Sequence, residues 1–100
     1  MVTISLCMIV KNEEKILARC LDSICDLMDE IIIVDTGSTD KTKEIAAGYT
    51  QKIYDFTWTG SFADARNFSF SKAECEYIYT ADADEVLDRE NHEKFRTLKR

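Results

Sequence analysis

The apolar positions of this chain change their spacing from one segment to the next. Thr3 to Val10 is a nearly continuous apolar run with β-branched residues, the pattern of a strand covered on both faces. It stops at Lys11-Asn12-Glu13. Asn12 then offers an N-cap, Glu13 and Glu14 suit the positive end of a helix, and Ile16, Leu17, Cys20, Leu21, Ile24, Leu27 and Met28 follow at helical spacing. That spacing predicts an amphipathic helix of about four turns. Glu30 to Val34 reads as a second buried strand, ended by the hydroxyl-rich Asp35-Thr36-Gly37-Ser38-Thr39-Asp40. A short helix around Ile45 and Ala46 comes next, which Gly48 can close with a left-handed residue.

The alternation continues with a shorter third strand over Lys52 to Phe56 and a turn at Trp58-Thr59-Gly60. Ser61-Phe62-Ala63-Asp64 has the S-x-x-D form of a capping signal and opens a helix through about Ala73. Glu76 to Ala81 is the fourth strand, in which Tyr77 and Tyr79 alternate with Ile78 as strand packing wants. Repeated strand and helix units imply an α/β, Rossmann-like fold: a mainly parallel sheet with helices on both faces. In such sheets ligands bind outside the carboxyl ends of the strands, near the point where strand order reverses. Asn12 and Glu13, Asp35 to Thr39, and Asp82 to Glu85 each follow a strand, so all three can meet at one edge.

Composition narrows what that edge can serve. The 100 residues, 45% hydrophobic and 32% charged, have the balance of one globular domain or part of one. A chain this long buries roughly two thirds of its unfolded surface, enough for one sheet with helices on its faces. A net charge of −6 opposes nucleic acid as a partner. No stretch approaches the ~20 apolar residues of a membrane span, and Met1 to Val10 lacks the marks of a signal peptide. The chain therefore reads as cytoplasmic, with the inner face of a membrane as the other place for it. Cys7, Cys20, Cys25 and Cys75 lack C-x-x-C spacing and are expected as reduced thiols, mostly packed in the core. His92, the only histidine, lies among charges and is expected at the surface.

Asp82-Ala83-Asp84-Glu85 carries the strongest chemical signal. Carboxylates crowded at a strand's end repel one another, and a hard cation such as Mg²⁺ or Mn²⁺ removes the conflict. An acidic surface turn is the plainer alternative. Asp82 and Asp84 would hold a cation bridging the phosphates of a nucleotide diphosphate, with Glu85 as an outer partner. Asp35 either accepts hydrogen bonds from a base or ribose or merely caps the next turn, while Gly37 allows close approach to a ligand. Arg66 has a donor fork suited to phosphate or a base carbonyl, assisted by Asn67; its alternative is a solvated helical arginine. Trp58 either flanks a cleft or anchors a loop.

The order strand, K-N-E-E, helix, strand, V-D-T-G-S-T-D, helix, strand, F-A-D-A-R-N helix, strand, D-A-D-E resembles the nucleotide-binding half of family 2 glycosyltransferases of the GT-A fold, from Ile4 to about Leu87. The resemblance implies that residues 1–87 bind a nucleotide-diphosphate sugar, a UDP-sugar foremost, and that 88–100 form a charged helical segment where the domain is cut short. Asn12, Glu13, Asp35, Gly37, Arg66, Asn67 and Asp82 are the candidates at the donor, and the resemblance places Asp35 on base or ribose and Arg66 on base or diphosphate. Asp82 and Asp84 fall on the D-x-D motif that meets ribose, metal and diphosphate. Two departures stand out. Ile9-Val10-Lys11 replaces the family's common proline and tyrosine, and Thr36 replaces the second aspartate of D-D-G-S.

The I-V-K-N-E-E and V-D-T-G-S-T-D variants resemble bacterial members acting on lipopolysaccharide cores or peptides, so the implied acceptor is a glycan, lipid-linked or peptide molecule. Inverting members take their catalytic base from the half after D-x-D, so no catalytic residue is named within these 100 and the fragment alone is expected to be inactive and prone to self-association. Two other classes stay open. Ala81 to Val86 also fits the D-x-D-x-[TV] signature of haloacid-dehalogenase-like phosphatases, with Asp82 as nucleophile. The third is a non-catalytic nucleotide-binding module.

Overall fold

Strand β1, Ile4–Val10, lies at the heart of the molecule, with six of its seven residues buried. The computed structural model describes residues 2–99. After β1 come helix α1 (Leu17–Ile24) with a 3₁₀ turn at Cys25–Leu27, strand β2 (Glu30–Asp35), helix α2 (Thr42–Ala47), and strand β3 (Ile53–Asp55). Helix α3 (Phe62–Lys72), strand β4 (Tyr77–Thr80) and helix α4 (Arg89–Lys99) complete the chain. The four strands form one parallel sheet in the order β3-β2-β1-β4. In register, Val10 faces Asp35 and Cys7 faces Thr80.

Alternation along the strands builds two cores, because successive side chains point to opposite faces. Leu6, Met8, Val10, Ile31 and Ile33 pack against Leu17, Leu21 and Ile24 of α1 and Ala46 of α2. Cys7, Ile32 and Val34 meet Phe68 and Phe70 of α3 on the other face. Both faces of the sheet are thus covered by helices, as the continuous apolar runs of β1 and β2 require. Each fully buried Leu or Ile contributes about 1.5–3 kcal/mol.

Three expectations need correction. Asn12 is not a helix N-cap: it has φ 54, and α1 starts only at Leu17, after Ile16 and Leu17 donate to the Glu13 carbonyl at 3.1 and 2.9 Å. Asparagine tolerates the left-handed conformation, which turns the chain before the helix begins. As a result α1 has eight residues and its last turn tightens to 3₁₀, shorter than the continuous helix the apolar spacing suggests. Gly48 is right-handed (φ −73), donating to the Ile45 carbonyl at 3.1 Å, so no left-handed residue closes α2 there. The Ser61 cap does form, its hydroxyl accepting from Asp64 N–H at 3.3 Å.

Within the charged segment after Leu87, Arg89–Lys99 form helix α4, which is anchored to the domain. His92 Nε2 lies 3.0 Å from both carboxylate oxygens of the exposed Asp26, so the histidine expected at the surface is there, held in a surface contact. Phe95 meets Tyr79 edge to face at 5.0 Å, and Lys99 reaches the Leu27 carbonyl and the Asp29 carboxylate. Tyr79 therefore packs, whereas Tyr77 and Ile78 of the edge strand are exposed. All four cysteines are free thiols; Cys7 and Cys20 are buried, Cys25 and Cys75 only partly so.

Candidate functional site

Strand order reverses at β1, with β2 on one side and β4 on the other, and the carboxyl ends of all four parallel strands point the same way. A cavity of about 590 Å³ opens at that reversal. It is lined by Val10 and Lys11 at the end of β1, Thr36 after β2, Trp58 after β3, and Asp82 and Asp84 after β4. Thr36 closes the floor by donating its N–H to the Val10 carbonyl at 3.0 Å.

The D-A-D spacing has a local cause. Ala81 and Ala83 are buried in the α1-side core, so the alternate residues Asp82 and Asp84 are turned out to solvent. Glu85 fixes the turn: its N–H donates to the Asp82 carbonyl at 2.9 Å, and its carboxylate accepts from the Asp82 N–H at 3.0 Å. The acidic end is felt by the Cys20 thiol, which donates to the Asp82 carbonyl at 3.6 Å. Burial first, then the charges of Glu85, Asp84 and Asp82, push the thiol's pKa up to about 11. Burial followed by the charge of Glu85 also raises the Tyr79 phenol.

Asp35 ends β2 beside a second cavity of about 350 Å³, shared with Gly37, Lys43, Asp55 and Trp58. One carboxylate oxygen, Oδ1, accepts from the N–H groups of Gly37 and Ser38 at 2.9 and 2.8 Å, which Gly37 permits by adopting φ +115. The other, Oδ2, is buried with no hydrogen-bond partner, in a residue only 2% exposed. Capping thus occupies one oxygen and leaves the other without a partner. Lys43 is held by Asp55 at 2.7 Å, which keeps its ammonium above the ordinary lysine range. Trp58 and Thr36 line both cavities.

Arg66 borders a third cavity, of about 250 Å³, with Asp82 and Glu85, and its guanidinium lies 4.9 Å from the centre of the Phe62 ring. Asn67, exposed on the same helix, lines none of the three. Glu13 lines the 590 Å³ cavity, and its N–H donates to Thr42 Oγ1 at 2.7 Å. Asn12 is occupied in joining loops: its N–H donates to Ser38 Oγ at 2.9 Å and its side-chain oxygen accepts from Thr39 N–H at 2.8 Å.

Lys11 and Phe62 line the 590 Å³ cavity without having been singled out from the sequence. Lys11 had a signal, a cation placed directly after a buried strand; Phe62 had none beyond its neighbours. Among the described residues no group of three or more His, Cys, Asp or Glu side chains is gathered for a metal. Two exposed carboxylates on one cavity still fit Mg²⁺ or Mn²⁺, which commonly takes one or two carboxylates and fills its remaining positions with phosphate and water.

The chain is 44% identical over 87 residues to the TPR repeat-containing protein Synpcc7942_0270 of Synechococcus elongatus, covering 87% of this chain and 22% of that protein. A crystal structure of S. aureus TarS in complex with UDP matches with a TM-score of 0.80 and 26% identity, over 97% of this chain and 31% of that one. The M. tuberculosis glucosyl-3-phosphoglycerate synthase in complex with Mn²⁺ and UDP-glucose matches with a TM-score of 0.72 and 25% identity, over 85% and 34%. The chain spans between 22% and 30% of the length of the curated relatives it matches. The family model for glycosyl transferase family 2 matches residues 5–97, and the chain belongs to that family.

Proposed function

We propose that this chain forms the donor-binding part of a glycosyltransferase, taking a nucleotide-diphosphate sugar, UDP-linked foremost, together with Mg²⁺ or Mn²⁺. The observation that carries the reading is the pairing of two acceptor sites at the carboxyl edge of the sheet. Buried Asp35 leaves Oδ2 free beside one cavity, and Asp82 with Asp84 lines the next, Thr36 and Trp58 bordering both. The UDP bound by one structural neighbour, and the Mn²⁺ with UDP-glucose bound by the other, support the choice of ligands.

Each residue then has a separable part. Asp35 Oδ2 accepts from the base or ribose, and Gly37 keeps that approach open. Asp82 and Asp84 hold the cation, whose chemistry when bound is to neutralise charge on the departing diphosphate. Arg66 offers donors to the phosphates, and Glu85 keeps the acidic turn in shape. Glu13 and Lys11 face the same cavity, while Asn12 positions the first loop against the second. Asn67 stays a candidate for the donor from the far side of α3. The acceptor, a glycan, lipopolysaccharide core or peptide, and the catalytic base both belong to a larger protein than this segment. Family membership leaves the phosphatase alternative without support; a non-catalytic module would bind the donor and transfer nothing. Among the described residues no helix is long and apolar enough to cross a membrane.

Calorimetry of UDP binding with and without Mn²⁺ tests the reading. Asp84→Ala is expected to abolish the metal-dependent part of the affinity while circular dichroism stays unchanged. Equal metal dependence in wild type and variant would overturn the assignment of the acidic turn.

A further inference from the structure

We propose that Trp58 is the stacking surface for the nucleobase, a specificity-determining residue that gives the Asp35 cavity its preference for a planar heterocycle. The inference rests on the donor-binding reading above and goes on to say which side chain reads the base.

Three observations converge on it. Trp58 is 47% exposed, although an indole gains more than most side chains from leaving water. It lines both the cavity of Asp35 and that of Asp82 and Asp84. The other aromatic rings of these cavities are already engaged: Phe56 packs on Phe68 at 5.0 Å, and Phe62 carries the Arg66 guanidinium at 4.9 Å. Among the described residues no ring or cation is stacked on Trp58.

The same cavity is lined by Asp35, whose buried Oδ2 no protein group satisfies. An open π-face beside a lone anionic acceptor suits a flat ring carrying an N–H, as uracil does. The nearby cation does not compete, because Lys43 is already paired with Asp55. Base stacking on an aromatic side chain is worth enough that its loss weakens binding about tenfold or more.

Trp58 is the single tryptophan of the chain, so its fluorescence reports on this contact alone. UMP and UDP are titrated into the full chain, followed by tryptophan emission and, in parallel, by calorimetry. Both nucleotides are expected to quench Trp58. Trp58→Leu should weaken both about tenfold, Trp58→Phe should recover most of the loss, and circular dichroism should show each variant folded. If UMP and UDP bind by calorimetry without changing the emission, and Trp58→Leu binds as wild type does, the stacking role is wrong while the donor-binding reading stands. Quenching by UDP-glucose but not by UMP would put Trp58 on the sugar and also overturn it. Failure of wild type to bind any nucleotide would overturn both.

Discussion

Strand β2 carries a buried carboxylate at each end, Glu30 at its start and Asp35 at its finish, and the fold satisfies one while leaving the other half-satisfied. Glu30 Oε1 accepts from Ser5 Oγ at 2.6 Å and from Glu74 N–H at 2.9 Å, and Oε2 meets the Lys52 ammonium. Burial pushes its pKa up, but Lys52, Ser5 and the Glu74 N–H outweigh burial and hold the carboxyl below its ordinary value. Asp35 has the same depth and chemistry, yet only Oδ1 has partners. A buried charged acceptor left unpaired costs more than a neutral one. The carboxylate at the amino end of the sheet therefore joins β1, β2, the segment entering β3 and the segment entering β4, whereas the one at the carboxyl end keeps an oxygen that no protein group satisfies.

The largest effect that would break this comparison is on stability. Glu30→Ala strands the Ser5 hydroxyl, the Glu74 N–H and the Lys52 ammonium together. Breaking a buried ion pair costs 3–5 kcal/mol, and because Lys52 is partly exposed the expected loss is about 2–3 kcal/mol. Thermal melting should fall by on the order of 10 °C with UDP affinity unchanged. A matching loss of affinity would mean the two ends of β2 are not separate in function.

Asp35→Asn is the sharper probe, since an amide oxygen can keep the Gly37 and Ser38 N–H bonds while the free oxygen is replaced by a donor. Stability should stay within about 0.5 kcal/mol of wild type or rise, as a buried charge is removed. Affinities for UMP and UDP, measured by calorimetry, should both fall about tenfold, near 1.4 kcal/mol. If UDP alone weakens, Asp35 acts with the phosphate-side carboxylates and the division of the edge is wrong.

Acid should erase part of the contrast. Glu30 has a lowered folded pKa, so its stabilisation is present above the ordinary value of 4.5 and is lost as pH falls through the folded value. The gap in urea midpoint between wild type and Glu30→Gln is expected to be constant near neutrality and to narrow below about pH 4.5. A gap that persists to the lowest pH would assign the effect to packing rather than charge.

The smallest effect concerns the sheet's sides rather than its ends. Strand β4 is an edge with Tyr77 and Ile78 exposed, and open edges recruit other chains. Weak self-association of the segment is expected, seen as a mass that rises with concentration in light scattering. Ile78→Lys should remove the rise; a strictly monomeric wild type at high concentration would refute it.

Much of this molecule could be read from its chain, for identifiable reasons. The apolar runs around Leu6 and Ile32 specified doubly covered strands, the Ser61 cap specified the start of α3, and Asp82 and Asp84 stood out by their spacing. Those signals are local, resting on neighbours one to four residues away. Asn12 was misread because a cap and a left-handed corner draw on the same side chain, and only the Thr39 and Ser38 partners, 27 and 26 residues on, separate them. Glu30 gave no sign of its part, since its partners Ser5, Lys52 and Glu74 are 25, 22 and 44 residues away.

By itself, then, the sequence determined which segments are strands and helices, that both sheet faces are covered, and that polar turns with acidic residues follow β1, β2 and β4; hydrophobic periodicity and capping are short-range and survive in any register. Only the tertiary structure decided that β4 lies beside β1, which brings Asp82 and Asp84 next to Lys11 and Thr36. It also decided which oxygen of which carboxylate is left without a partner, and that Trp58 stands between the two cavities. Those outcomes depend on strand order and register, which are fixed by packing between residues far apart in the chain.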